Sequence, residues 1–242
     1  MNNNLSSLAI SKNAAMIMVK AYLWMFVATL ITFITGLLFT KVINNSGGYL
    51  LFLSIFSFIA LLILGYKINK SALVLLNYKK ALLFFILYSL ITGFTFSSIF
   101  IFFDVEVLFN VFASITLYFL LLTLLTLLFK KKIHNAKNLA YTGLLTLLIA
   151  SILVSLYTIF FYNPTSLVSK TLHLSISILG ILIFSIITMV DIKTMYTLID
   201  ENPYANSLSI YAAFALYLDF INIFLYILRI LLVLGKNTRN RN

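Results

Sequence analysis

The chain has no cysteine, one tryptophan, only two prolines in 242 residues, and six acidic residues against seventeen lysines and arginines. Each shortage excludes something. Without thiols there is no disulfide framework, no thiolate nucleophile and no sulfur-ligated metal, and the redox compartment is left open. With so few prolines, the apolar runs continue unbroken over helical lengths. Charged residues make up 10% of the chain and hydrophobic ones 62%, with a mean hydropathy of +1.09. Such a chain cannot hide its apolar side chains inside one water-soluble core. It reads as an all-α polytopic membrane protein. Its apolar runs match a hydrocarbon core of roughly 30 Å, whereas barrel strands would alternate polar and apolar over roughly ten residues.

What is there is a series of apolar runs separated by short polar joints. Seven spans are expected at about 21–40, 49–66, 81–103, 107–129, 139–161, 171–198 and 207–234. They form one transmembrane domain over 21–235, between a polar N-terminal segment (1–20) and a basic tail (236–242). The first apolar run is too long for a signal-peptide core and lacks a small-residue cleavage pattern, so it is read as a retained helix. Turns are expected at 44–48 with its Ser-Gly-Gly, at 104–106, and at Asn163-Pro164 and Asn202-Pro203.

The net charge of +11 does not form one basic stripe with interleaved aromatics, so nucleic acid is not an expected partner. The lysines instead orient the spans, because Lys and Arg in short loops stay on the cytoplasmic side. With the N-terminus inside, the inner segments hold Lys12, Lys20, Lys67, Lys70, Lys79, Lys80, Lys130, Lys131, Lys132, Lys137 and Lys193. The outer loops hold only Lys41 and Lys170. Seven spans then place Lys236, Arg239 and Arg241 outside, against the rule, and the eleven earlier charges are taken to dominate.

Two acidic residues, Asp191 and Asp219, stand inside apolar runs, whereas the other four lie in or beside loops. A charged residue at a helix centre costs roughly 2.5 to 3.5 kcal/mol on an insertion scale, so these two mark the expected working site. On a helix, Asp219 shares its face with Ala212, Ala215, Leu216, Asn222, Ile223 and Tyr226, and Asp191 with Ser177, Gly180, Phe184, Thr188 and Thr194. The flanks of Asp219, among them Phe214, Phe220 and Phe224, suit lipid or apolar packing. Small residues permit close helix approach, and hydroxyls can satisfy a buried carboxyl. Measured from the joint between the last two spans, Asp191 should lie on the order of 10 Å deep and Asp219 about 17 Å. The two carboxyls can therefore meet, and two such groups in a medium of low dielectric share a proton because both cannot ionise cheaply. Two blander readings remain. The pair merely pins helix packing, or Asp191 is solvated at a span end beside Lys193. Arg229 is expected to snorkel to the interface, and His134 and His173 make no metal-binding spacing.

The stretch Leu216-Tyr-Leu-Asp-Phe-Ile-Asn-Ile-Phe-Leu-Tyr-Ile-Leu-Arg229 closely resembles the C-terminal signature of the Bax inhibitor (TMBIM) family of membrane proteins. Three further segments agree in order: Lys20-Ala-Tyr-Leu-Trp-Met25, Tyr88 to Phe100, and Phe184 to Tyr196. The resemblance implies seven helices with the last enclosed by the other six, and a calcium leak that responds to pH through an aspartate pair. That pair corresponds here to Asp191 and Asp219. It implies no enzymatic activity and no cofactor, with calcium as the transported ion and protons as the regulator. The expected location is a bacterial inner membrane with a cytoplasmic N-terminus.

The chain departs from the family at three points. An arginine near the cytoplasmic end of span two that latches onto the span-six aspartate is represented only by Lys67, a point charge without the planar fork. Span two has no carboxylate, and Val190 stands where a tyrosine often precedes the aspartate. Supporting polar groups are Lys67, Thr188, Asn222 and Tyr226. Other classes share some of these features. A proton-coupled transporter lacks the broken Gly/Pro-interrupted helices expected of it, and an intramembrane aspartyl protease lacks its Gly-x-Gly-Asp context. A non-conducting membrane regulator is compatible with the sequence.

Overall fold

The computed structural model describes residues 12–43, 50–128, 136–160, 167–201 and 206–235. Among them are seven long helices and no strand: α1 Lys12–Ile43, α2 Leu50–Asn69, α3 Tyr78–Phe100, α4 Val105–Leu128, α5 Ala136–Phe160, α6 Leu167–Glu201 and α7 Leu208–Val233. All seven expected spans are present, and most ends fall within four residues of expectation. Six helices are long and apolar enough to cross a hydrocarbon core, and the apolar stretch found in α5, Thr142–Val154, is shorter. Large apolar side chains such as Leu62, Leu117, Leu124, Leu148 and Leu153 are more than half exposed, as lipid-facing positions require. The expected turns at 44–48, Asn163-Pro164 and Asn202-Pro203 lie outside the described residues, as do Lys130 to Lys132, His134 and the basic tail.

Two expectations are corrected. α1 begins at Lys12 rather than Ala21, and Ala14, Ile17 and Met18 in its early turns are buried. The reversal before α4 ends at Asp104, and Glu106 already lies in the first helical turn. There its carboxylate faces the positive end of the helix dipole, a favourable site.

The chain divides into two compact units, Met1–Ile101 with Thr194–Tyr217, and Phe102–Lys193 with Leu218–Asn242. In the first, α1 and α2 both pack on α3. α2 ends in a π-helical turn, Lys70–Val74, where Leu75 N–H reaches back five residues to Lys70 O at 3.0 Å. Leu76 then takes a positive φ of 46° and Asn77 caps α3, its side chain accepting from Lys80 N–H at 3.0 Å. The start of α7 is tied to this corner, because Ser207 Oγ donates to Ala72 O at 2.9 Å.

Deeper in the first unit, a hydroxyl relay joins three helices. Thr32 Oγ1 lies 3.0 Å from both Ala28 O and Ser89 O, and 2.7 Å from Tyr217 Oη. A hydroxyl has one proton, and the two carbonyls can only accept it. Tyr217 must therefore be the donor to Thr32, linking α7 through α1 to the α3 backbone. Tyr217 is fully buried, with edge-on contacts from Phe85 and Tyr88.

The second unit repeats the device with different residues. Ser185 Oγ donates to Ile181 O, so Tyr118 is the donor in the 2.7 Å contact between Tyr118 Oη and Ser185 Oγ, joining α4 to α6. Phe220 of α7 packs against Phe112 and Phe119 of α4, each with ring centroids 5.5 Å apart. The flanks of Asp219 thus serve apolar packing rather than lipid. Phe214, Phe220, Phe224 and Leu228 are all buried, and only Arg229 among residues 207–233 is exposed. None of residues 207–228 at and along the last helix is exposed.

Candidate functional site

Asp191 and Asp219 both belong to the second unit. α6 runs ten residues beyond Asp191 to Glu201, and Asp219 is eleven residues past the start of α7 at Leu208. At 1.5 Å per residue, these offsets are about 15 Å and about 16 Å, which sets the two carboxyls nearly level. The longer α6 improves on the expected depth of Asp191. It also removes that residue from a helix end, where the solvated reading had placed it.

Asp219 is buried, with 4% of its surface exposed, and Asp191 is half-buried. The Asp191 charge acts directly on the Asp219 carboxyl, and Thr188 is the side-chain hydrogen-bond partner of Asp219. Oδ2 of Asp219 has no hydrogen-bond partner among the described residues. Thr188 Oγ1 also lies within hydrogen-bond distance of its own helix, 2.7 Å from Phe184 O. The local chemistry favours a pair holding one proton: a buried acid with one unpartnered oxygen, and a second carboxyl close by.

The other residues singled out by sequence are placed as follows. Of the small and polar face of α6, Ser177, Gly180, Phe184 and Thr188 are buried, and Thr194 is exposed. Asn222 Nδ2 donates one hydrogen bond to its own helix, to Leu218 O at 2.8 Å. Tyr226 rests on the α6 backbone at Gly180, where an added Cβ would fall 2.6 Å from its Cζ. It lies two turns along the helix from Asp219, over Phe184 with ring centroids 5.9 Å apart. Lys67 belongs to the first unit, where its ammonium sits 5.4 Å from the Phe84 ring centroid. Asp191, Thr188 and Asp219 are thus brought together. The hydrogen bond from Thr188 of α6 to Asp219 of α7 was not legible in sequence, although a threonine one turn before Asp191 was its signal. Among the described residues no three His, Asp or Glu side chains gather as a metal-binding group.

Apolar helices of spanning length, with one buried and one half-buried aspartate among them, define an integral membrane protein in contact with the bilayer. A sequence profile described as "Inhibitor of apoptosis-promoting Bax1" matches residues 14–237. The chain belongs to the Bax inhibitor family. It is 30% identical over 195 residues to an uncharacterized protein of Borreliella burgdorferi, covering 78% of this chain and 80% of that one. It is 32% identical over 151 residues to the Escherichia coli "Inner membrane protein YbhL", covering 60% of each. A third relative, the uncharacterized protein RP147 of Rickettsia prowazekii, is 42% identical over 92 residues, 37% of this chain and 35% of that protein. Two of these three matches span less than two thirds of the relative's own length.

Proposed function

We propose that the protein is a pH-sensitive calcium leak of a bacterial inner membrane, with its N-terminus in the cytoplasm and no enzymatic role. The observation that carries the reading is the Asp219 carboxyl, buried, with Oδ2 unpartnered among the described residues and under the field of Asp191. At low pH the pair holds one proton, the carboxyls attract, and α6 and α7 stay closed on each other. As pH rises the shared proton leaves, two negative charges face each other in a medium of low dielectric, and their repulsion opens the seam. The same two charges then attract a hard cation. Two carboxylates fall short of the six to eight oxygens calcium prefers, so carbonyls and water complete its shell and binding stays weak, as passage requires. Calcium is the cargo here and not a resident ion. The family resemblance supports the ion, and the carboxylate geometry supports the gate.

The test is calcium influx into liposomes containing the purified protein, scanned over pH with no proton gradient. Flux that is low in acid and rises as the pair loses its proton is the expected outcome. Flux independent of pH would sink the gate, and uphill accumulation driven only by a proton gradient would replace the leak with a coupled transporter.

A further inference from the structure

A groove of about 420 Å³ opens in the second unit between α5, α6 and α7. Its volume falls within the range of ligand pockets, roughly 300–1,000 Å³. Leu144, Leu147, Leu148, Ile152 and Leu156 of α5 form one wall, and Phe184 and Tyr226 form the other. Among the described residues its polar side chains are the Ser151 and Tyr226 hydroxyls, which meet each other across the groove. Leu148 and Ile152 are about half exposed, so the groove opens outward towards the lipid. Its shape depends on Gly180. Any Cβ there would push the Tyr226 ring off α6 and into the space.

One end of the groove is cationic. Arg229, a turn beyond Tyr226, holds its guanidinium 5.8 Å from the Tyr226 ring centroid. It is exposed and has no carboxylate partner among the described residues. A guanidinium over an aromatic face keeps its planar fork free for a bidentate oxyanion. An apolar trough open to the acyl region, with a guanidinium held over the Tyr226 ring that lines it, complements a molecule with a long hydrocarbon tail and a phosphate head.

We propose that this groove binds one anionic phospholipid, its acyl chain lying along Leu144 to Leu156 and its phosphate on Arg229. The inference is independent of the calcium reading. It nevertheless has a bearing on the site, because Phe184 and Tyr226 each lie seven residues from an aspartate and so on the same helix faces. A bound lipid would wedge the α6–α7 seam two turns from the pair.

The experiment is photo-crosslinking of the full-length protein in mixed vesicles, using phosphatidylglycerol and phosphatidylcholine that carry a diazirine on one acyl chain, with the adducts mapped by mass spectrometry. Adducts at Leu148, Ile152 and Tyr226 should be roughly fivefold more abundant with phosphatidylglycerol, the gain expected from one favourable charge near the surface. Arg229→Gln should bring the two lipids to parity, Arg229→Lys should keep most of the preference, and Leu148→Trp should cut adducts from both lipids by filling the trough. Equal labelling by the two lipids in the wild type, or a preference that survives Arg229→Gln, would overturn the proposal. Should Arg229→Gln fail to fold, Leu148→Trp decides, and labelling unchanged by it would overturn the proposal equally.

Discussion

Calcium flux through Asp219→Asn is expected to be low at every pH, at least about tenfold below the alkaline plateau of the wild type, a factor that corresponds to a coupling of roughly 1.4 kcal/mol. An amide has nearly the shape of a carboxyl but cannot ionise. Removing the Asp219 charge leaves Asp191 with nothing to repel, so the alkaline opening never develops and the pH dependence flattens. Asp191→Asn should flatten the profile in the same way, because the repulsion belongs to the pair and not to either residue. Thermal unfolding of both variants in detergent separates this outcome from misfolding. A folded Asp219→Asn protein with a wild-type pH profile would mean that the carboxyl only pins the packing of α7.

The second large effect concerns the crossing of α1 and α3. An added Cβ at Gly93 would fall 2.5 Å from Thr32 O and 2.7 Å from Thr35 Cβ. The first of these is backbone, which cannot swing aside as a side chain can. Gly93→Ala should therefore force the helices apart, with an overpacking cost of about 1–3 kcal/mol or more. Helix propensity offsets only roughly 0.5–1 kcal/mol of it. The crossing also holds Thr32, so the Tyr217 relay would be strained together with it. Gly65→Ala supplies the contrast, because the nearest atom to its Cβ is Phe214 Cζ at an ordinary 3.5 Å. That variant should match the wild type or gain up to about 1 kcal/mol. Thermal unfolding of the pair checks both, and a Gly93→Ala protein as stable as the wild type would contradict the packing described.

How much of this was legible in the sequence depended on which property carried the information. Span number followed from hydropathy and length, because the bilayer imposes one dimension on every helix. The aspartates stood out because charge inside an apolar run is expensive wherever it falls. The start of α1 was not legible: its first turns carry Lys12, Asn13 and Lys20, which look like a polar tail until Ala14, Ile17 and Met18 are seen to be buried. The π-helical end of α2 and the Asn77 cap depend on local hydrogen bonding that no hydropathy pattern encodes. Direction was hidden in the same way. Helical spacing put Asn222 on the aspartate face, but its amide donates to Leu218 O. Spacing also put Tyr226 there, but Gly180 receives its ring two turns away. The enclosure of Phe214, Phe220 and Phe224 went unread because apolar residues suit lipid and protein neighbours equally well.

The account rests on one proton shared by Asp191 and Asp219, and infrared difference spectroscopy of the reconstituted protein over pH tests it most directly. The account predicts a carbonyl stretch from a protonated carboxylic acid at low pH. That band should fade over the same pH range in which calcium flux rises, and should be missing from Asp219→Asn. A band that is absent in the wild type at low pH, or one that persists unchanged while the flux opens, would contradict it.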